Sequence, residues 1–265
     1  MIASDLDGTL LRNDGTLSPR TLRALRTAES AGTEIVLVTA RPPRFVDRLA
    51  DATGFAGTAV CSNGATVYDI GTRTVVSSRA LPLTTARRVA TALAAAVPGI
   101  GFALETGNHI LYEPAYRLRL SEDAGAELPV PALADLWLAD VPVTKLLAWS
   151  DRLDADALLA AAEAGAVDGV QLTHSGGRGL LEISASGVTK AGTLSVLCAG
   201  RGIDAAEVIA FGDMPNDLTV LEWAGTGYAM GNAHPSVLAA IPTHTLSNEE
   251  DGVADVIERL FGPAR

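Results

Sequence analysis

The sequence predicts an α/β protein: a parallel sheet flanked by helices, interrupted by a separate region of α+β character. Three observations predict it. Apolar runs such as residues 34–38 and 208–211 show little polar alternation, as strands buried on both faces do. The first run follows a strand and a helix, the order of a parallel crossover. From about Leu81 to Ala185 the pattern changes to helices mixed with hairpin-like strands, and parallel character returns at Gly187. Residues 1–80 and 186–265 are therefore expected to form one domain, with residues 81–185 inserted into it as an α+β domain.

The chain opens on Ile2-Ala3-Ser4-Asp5-Leu6-Asp7-Gly8-Thr9-Leu10. Read as an extended segment leaving a strand, it sends alternate side chains to opposite faces, so Asp5 and Asp7 share one face and Leu6 the other. Gly8 lets the chain turn sharply, and the N–H groups freed there can face an anion. Two converging carboxylates beside such a turn suit a divalent cation and a phosphate; two acids in an ordinary strand-end turn are the alternative for this stretch alone. Ser18-Pro19 then reads as an N-cap and first helical residue, and Leu22, Leu25 and Ala28 recur at helical spacing before Gly32.

The strand at 34–38 ends in Thr39-Ala40-Arg41-Pro42-Pro43, a hydroxyl and a guanidinium where open α/β sheets bind ligands. Thr39 is suited to donate to a phosphate oxygen and Arg41 to pair with a substrate anion; a helix cap beside a surface arginine would read the same. A helix near 43–52 leads to a strand at 59–61 and to Ser62-Asn63-Gly64-Ala65. Asn-Gly is a turn signal, and equally a place for the Asn63 amide beside a substrate. Residues 66–69 and 74–77 read as a hairpin.

Within the inserted region a helix is expected at 84–97, a hairpin from 101–105 and 109–112, and an irregular stretch containing Pro129, Pro131 and Trp137. A strand at 143–149, a helix at 153–164 and strands at 170–173 and 180–183 follow. His109, His174 and Arg178 lie in or beside its turns, either solvated or facing the first domain to read a substrate. Lys190 opens a helix running to about Ala199; a lysine there opposes the helix dipole, so an anion is the natural partner of both, although a surface lysine would read the same from this segment alone. The glycine spacing is not that of a Walker loop. After the strand at 208–211 comes Gly212-Asp213-Met214-Pro215-Asn216-Asp217, in which Asp213 and Asp217 either reach one cation across a tight loop or cap the helix behind them. A strand near 227–230 and a helix starting within 248–254 complete the chain.

Composition limits the partners. A formal net charge of −11 argues against nucleic-acid and anionic-membrane binding and favours small molecules. With 48% hydrophobic and 5% aromatic residues, the core is packed mainly by Ala, Val and Leu, and disorder is not expected. Cys61 and Cys198 form no metal-spaced cluster and read as buried free thiols of a reducing compartment. No export signal precedes the first strand, and no run approaches the ~18 apolar residues of a membrane span. A cytoplasmic location is expected; the oligomeric state is not legible.

In order along the chain stand Asp5-Leu6-Asp7-Gly8-Thr9, Thr39-Ala40-Arg41-Pro42, Ser62-Asn63-Gly64-Ala65, Lys190, Gly212-Asp213-Met214-Pro215-Asn216-Asp217, Met230-Gly231-Asn232-Ala233 and Glu250-Asp251-Gly252-Val253-Ala254. Together they resemble the haloacid dehalogenase-like hydrolases, in their Cof-type sugar-phosphatase branch, over the whole chain. The resemblance implies a Rossmann-like core, a large inserted cap and an Mg²⁺-dependent phosphatase of small phosphomonoesters such as sugar phosphates. It implies Asp5 as the nucleophile that becomes an aspartyl-phosphate, and Asp7 as the general acid/base. It further implies Mg²⁺ at Asp5, the Asp7 carbonyl and Asp213, with Asp217 and Asn216 nearby, and phosphoryl contacts from Thr39, Lys190, Gly8 and Asn63. Arg41, His174 and Arg178 are the candidate substrate contacts. Two departures are small: Ser4 stands where the family more often has an apolar residue, and Ala191 where a glycine usually follows the lysine. A phosphomutase or a non-catalytic phosphometabolite binder on the same scaffold are the alternative functions.

Overall fold

The computed structural model describes residues 1–118, 123–165, 168–176 and 179–262. β1 (Ile2–Ser4), α1 (Pro19–Ser30), β2 (Ile35–Val38), α2 (Pro43–Thr53) and β3 (Thr58–Cys61) alternate, and β4 (Thr66–Asp69) and β5 (Thr74–Ser78) follow as a hairpin. Then come α3 (Leu83–Ala96), β6 (Gly101–Glu105), β7 (Ile110–Tyr112), β8 (Glu127–Pro129), α4 (Leu133–Leu136), β9 (Lys145–Trp149), α5 (Ala155–Ala164), β10 (Val170–Thr173) and β11 (Leu180–Ala185). The chain continues through α6 (Lys190–Arg201), β12 (Ile209–Gly212), α7 (Leu218–Trp223), β13 (Thr226–Ala229), α8 (Pro235–Ala240) and α9 (Gly252–Phe261).

These strands form two sheets. The first, of seven strands, has the order β13-β12-β1-β2-β3-β4-β5, parallel from β13 to β3 and antiparallel across the hairpin. Its central strands are buried throughout, which is why their sequences are continuously apolar. Because Ser4 pairs with both Leu37 and Phe211, the carboxyl ends of β1, β2 and β12 lie side by side. Asp5, Thr39 and Asp213 therefore leave the sheet near one another, at the edge where such sheets bind ligands. Helix α1 begins as its sequence indicates: the Ser18 hydroxyl accepts from the Thr21 N–H at 3.0 Å, and Thr21, Ala24, Leu25 and Ala28 form its buried face.

The second sheet, of six strands, has the order β10-β11-β9-β6-β7-β8. Its side chains alternate with the period of two that a pleated strand imposes. Phe102, Leu104, Leu146, Ala148, Leu181 and Ile183 pack with Val89, Leu93, Leu158 and Ala162 of α3 and α5. Ala103 and Leu147 belong instead to a cluster with Ile110 and Tyr116, with Leu180 against it. Strand polarity thus gives the sheet a helix-covered face and a second face carrying Lys145, Leu147, Leu180 and Glu182.

Three elements depart from the sequence reading: β8 and α4 (Leu133–Leu136), both in the stretch expected to be irregular, and α8. The stretch taken as irregular contains β8, which pairs parallel to β7; as a three-residue edge strand it tolerates Pro129. Helix α8 was not anticipated, because in six residues it buries only Val237 and shows no periodicity. Among the described residues no helix is long and apolar enough to cross a membrane.

Candidate active site

Asp5 is the first residue beyond β1, anchored by its N–H on the Phe211 carbonyl at 3.1 Å and 7% exposed. Lys190 opens α6 behind an N-cap in which the Thr189 hydroxyl accepts from the Gly192 N–H at 2.9 Å. Its buried ammonium donates to Asp5 Oδ1 at 2.7 Å and to Asp217 Oδ1 at 2.6 Å. The other Asp217 oxygen accepts from the N–H groups of Asp213 and Met214 at 3.1 and 3.0 Å, tying that loop closed. Thr9 Oγ1 donates to Asp213 Oδ1 at 2.9 Å. Gly8, with φ +73°, fits between these segments because it has no side chain: a Cβ there would lie 2.3 Å from Asp213 Oδ2. The Gly8 carbonyl accepts from Asn232 Nδ2 at 2.8 Å, which gives the Met230-Gly231-Asn232-Ala233 stretch a bracing role.

One ammonium thus faces three buried carboxylates. Burial pushes Asp5 well above the usual carboxylate range, against the pull of Lys190 and with the help of Asp217, Asp213 and Asp7. Burial, then Asp217, pushes Asp213 up to about 7. Lys190 is held above its ordinary range: burial alone would lower it, and Asp217 and Asp5 outweigh burial. Excess negative charge in a desolvated place is costly, and a cation removes the cost. Carboxylate oxygens of Asp5, Asp213 and Asp217 lie within 4.8 Å of one another, an all-oxygen donor set of the kind that hard divalent ions take. The residues present fit Mg²⁺.

Asp7 is half exposed, and both its oxygens are held by Arg41, through Nε and Nη2, each at 2.8 Å. The Arg41 guanidinium also lies 4.5 Å from the centre of the Phe45 ring. Thr39 is fully buried and its hydroxyl accepts from the Arg41 N–H at 3.0 Å. Asn63 is 3% exposed; its Oδ1 accepts from Asn216 Nδ2 at 3.1 Å, while Asn216 Oδ1 is buried with no partner among the described residues.

Asp5, Asp7, Arg41 and Asn216 open onto a cavity of about 320 Å³ between the two sheets. Its first-sheet wall includes Pro42, Arg44, Phe45 and Met214; the second sheet and its loops contribute Ile110, Tyr116, Leu118, Leu147 and Leu180, with Glu105, Asp123, Lys145 and Glu182 among them. Arg44 on α2 bridges the sheets, binding Glu105 at 2.7 and 2.8 Å and Asp123 at 2.6 Å. Sequence reading missed Arg44, Glu105, Lys145 and Glu182. A lone charge in an otherwise apolar strand, as in Lys145-Leu146-Leu147-Ala148-Trp149 and Leu180-Leu181-Glu182-Ile183, is the feature that marks two of them.

His174 is not a solvated turn residue and does not line the cavity. It is 2% exposed, with Nε2 at ion-pair distance, 3.1 Å, from Asp156 Oδ1 but not aligned as a hydrogen bond, and its ring sits edge-on to His234. His109 is exposed, and Arg178 lies outside the described residues.

The family model described as haloacid dehalogenase-like hydrolase matches residues 2–257. The Bacillus subtilis protein YxeH is 31% identical over 275 residues, covering 98% of this chain and 97% of its own. Pyridoxal phosphate phosphatase YbhA of Escherichia coli is 29% identical over 277 residues, 97% of each chain. A solved haloacid dehalogenase-like hydrolase from Bacteroides thetaiotaomicron superposes over 98% of both chains with a TM-score of 0.79 at 30% identity.

Proposed function

The chain belongs to the haloacid dehalogenase-like hydrolase family, and on that premise we propose that it hydrolyses small phosphomonoesters through an aspartyl-phosphate on Asp5. The observation that carries this reading is the buried Asp5 carboxylate, bound through one oxygen to Lys190 and grouped with Asp213 and Asp217. Its Oδ2 is the attacking atom: a bond forms from that oxygen to phosphorus as the bond from phosphorus to the leaving oxygen breaks. Asp7 delivers a proton to the departing alkoxide, then takes one from the water that attacks phosphorus, releasing orthophosphate and restoring Asp5. Both Asp7 oxygens are engaged by Arg41, so that pair opens before Asp7 can serve. Lys190 offsets charge on Asp5 and on the phosphoryl oxygens, to which Thr39, Asn63 and the N–H groups at Gly8 also donate. Asp5, the Asp7 carbonyl and Asp213, with Asp217 and Asn216 nearby, would hold Mg²⁺, which would supply the positive charge that offsets repulsion between carboxylate and phosphoryl group.

Residues 81–185 act in this reading as a cap that shields the reaction from water and selects the leaving group. The wall of Ile110, Leu118, Leu147 and Leu180 opposite Phe45 favours a leaving group with an apolar or ring face over one that is hydroxylated all round. The relative YbhA is named for such a ring, pyridoxal phosphate. The test is phosphate release from p-nitrophenyl phosphate, pyridoxal phosphate and hexose phosphates in Mg²⁺ or EDTA, by wild type and Asp5→Asn. Release that needs Mg²⁺ and Asp5 supports the reading; release by Asp5→Asn at the wild-type rate refutes it.

A further inference from the structure

Ser62 and Asn63 both occupy the left-handed region, with φ +52° and +56°. Two consecutive non-glycine residues hold that conformation only where their surroundings over-determine it. Backbone bonds to residues 39 and 41 and the Asn216 amide hold the pair from the first domain, and one side-chain contact to Asn63 comes from the second sheet. Glu182 on β11 accepts from Asn63 Nδ2 with one oxygen and from Ser175 Oγ at 3.3 Å with the other. Lys145 on β9 lies 3.5 Å from that second oxygen and donates to the Ala40 carbonyl at 2.8 Å. The two loops they reach are themselves interlocked: the Asn63 N–H binds the Thr39 carbonyl at 3.0 Å, and the Ser62 N–H binds the Arg41 carbonyl at 2.9 Å. Glu182, Lys145 and Asn63 are all at least 96% buried.

We propose that Glu182 and Lys145 are positioning residues, which fix the Asn63 amide and the 39–41 backbone for phosphoryl binding only when the second sheet is seated on the first. Closure and completion of the site are then one event. The inference rests on reading Asn63 and Thr39 as phosphoryl ligands. A group that merely bound the leaving group would matter in proportion to leaving-group size; a group acting through Asn63 matters for every phosphoryl donor.

The test is a double-mutant cycle of Glu182→Gln and Asn63→Ala, measured as kcat with acetyl phosphate and with p-nitrophenyl phosphate. Glu182→Gln is expected to lower kcat by about ten- to a hundred-fold on both donors, as small misplacements of catalytic geometry do. In the Asn63→Ala background the same substitution is expected to change kcat by less than about two-fold, because the coupling runs through Asn63. Equal losses in the two backgrounds, or undiminished acetyl phosphate turnover by Glu182→Gln, would overturn the proposal. Lys145→Met, which releases the other loop, runs as a second variant, so that misfolding of one protein leaves a cycle standing. The same cycle read as the Kd of orthovanadate by calorimetry covers variants too slow to assay. Absence of turnover in wild type would defeat the hydrolase reading, while the vanadate cycle would still decide the coupling.

Discussion

The Lys190 ammonium stands between two carboxylates from distant parts of the chain, 2.7 Å from Asp5 and 2.6 Å from Asp217. It is their shared countercharge. Lys190→Met leaves both acids buried and facing each other, so kcat should fall by about a hundred- to a thousand-fold. In EDTA, breaking the buried pair should cost about 3 kcal/mol of stability, read from urea unfolding midpoints. A variant with wild-type turnover would remove Lys190 from the chemistry.

Asp213 supplies the pH dependence. Its folded-state pKa of about 7 lies above the ordinary unfolded value near 4, so the native state binds the extra proton between those limits. Stability from this group is therefore lost as pH rises from about 4 to 7. Asp213→Asn cannot ionise and keeps an oxygen for Thr9, so in EDTA it should be more stable than wild type at pH 8 by about 1–3 kcal/mol, with the advantage shrinking towards pH 4. Added Mg²⁺ should raise the melting temperature of wild type more at pH 8 than at pH 5. An Mg²⁺ shift of equal size at both pH values would show that Asp213 is not part of the ion's site.

Gly8 is a tight steric point beside Asp213. Gly8→Ala puts a methyl group 2.3 Å from Asp213 Oδ2 on a backbone at φ +73°, so Asp213 must move. We expect a loss of about 1–3 kcal/mol in stability from the backbone alone, and a weaker Mg²⁺ response in thermal melts. An unchanged Mg²⁺ titration would mean that the loop yields without disturbing Asp213.

The apolar wall and His174 should separate in substrate profiling. Leu180→Gln, on the cavity wall, should lower kcat/KM for a ring-bearing donor such as p-nitrophenyl phosphate by about ten-fold and leave acetyl phosphate within about two-fold. His174→Ala, away from that wall, should leave the ranking of substrates unchanged while lowering the melting temperature. A reordered ranking with His174→Ala would return that residue to the substrate site.

What the sequence made legible follows from distance along the chain. Asp5 with Asp7, and Asp213 with Asp217, sit in short segments at strand ends, so local spacing and strand alternation paired them; that the two distant segments meet came from the family resemblance, and the structure groups Asp5, Asp213 and Asp217. Lys190 stood out because a lysine at a helix N-terminus opposes the dipole. Glu182 and Lys145 were not legible, since their partners depend on strand register within the second sheet and on where that sheet sits over residues 40 and 63. His174 reads as either solvated or facing the substrate, because a turn sequence does not reveal that Asp156 and His234 lie against it. The Arg41–Asp7 pair was not legible because Arg41 reads toward a substrate anion and Asp7 toward a cation and a phosphate, not toward each other.

The most direct measurement is of the covalent intermediate. Wild type would be mixed with ³²P-labelled acetyl phosphate and Mg²⁺, quenched in acid within milliseconds, reduced with borohydride, and its peptides sequenced by mass spectrometry. Burst labelling, with homoserine replacing aspartate at position 5 alone and absent from Asp5→Asn, is the result expected if Asp5 is the nucleophile. Phosphate release at full rate with no label on the protein, or with the reduced residue at Asp7 or Asp213, would contradict it.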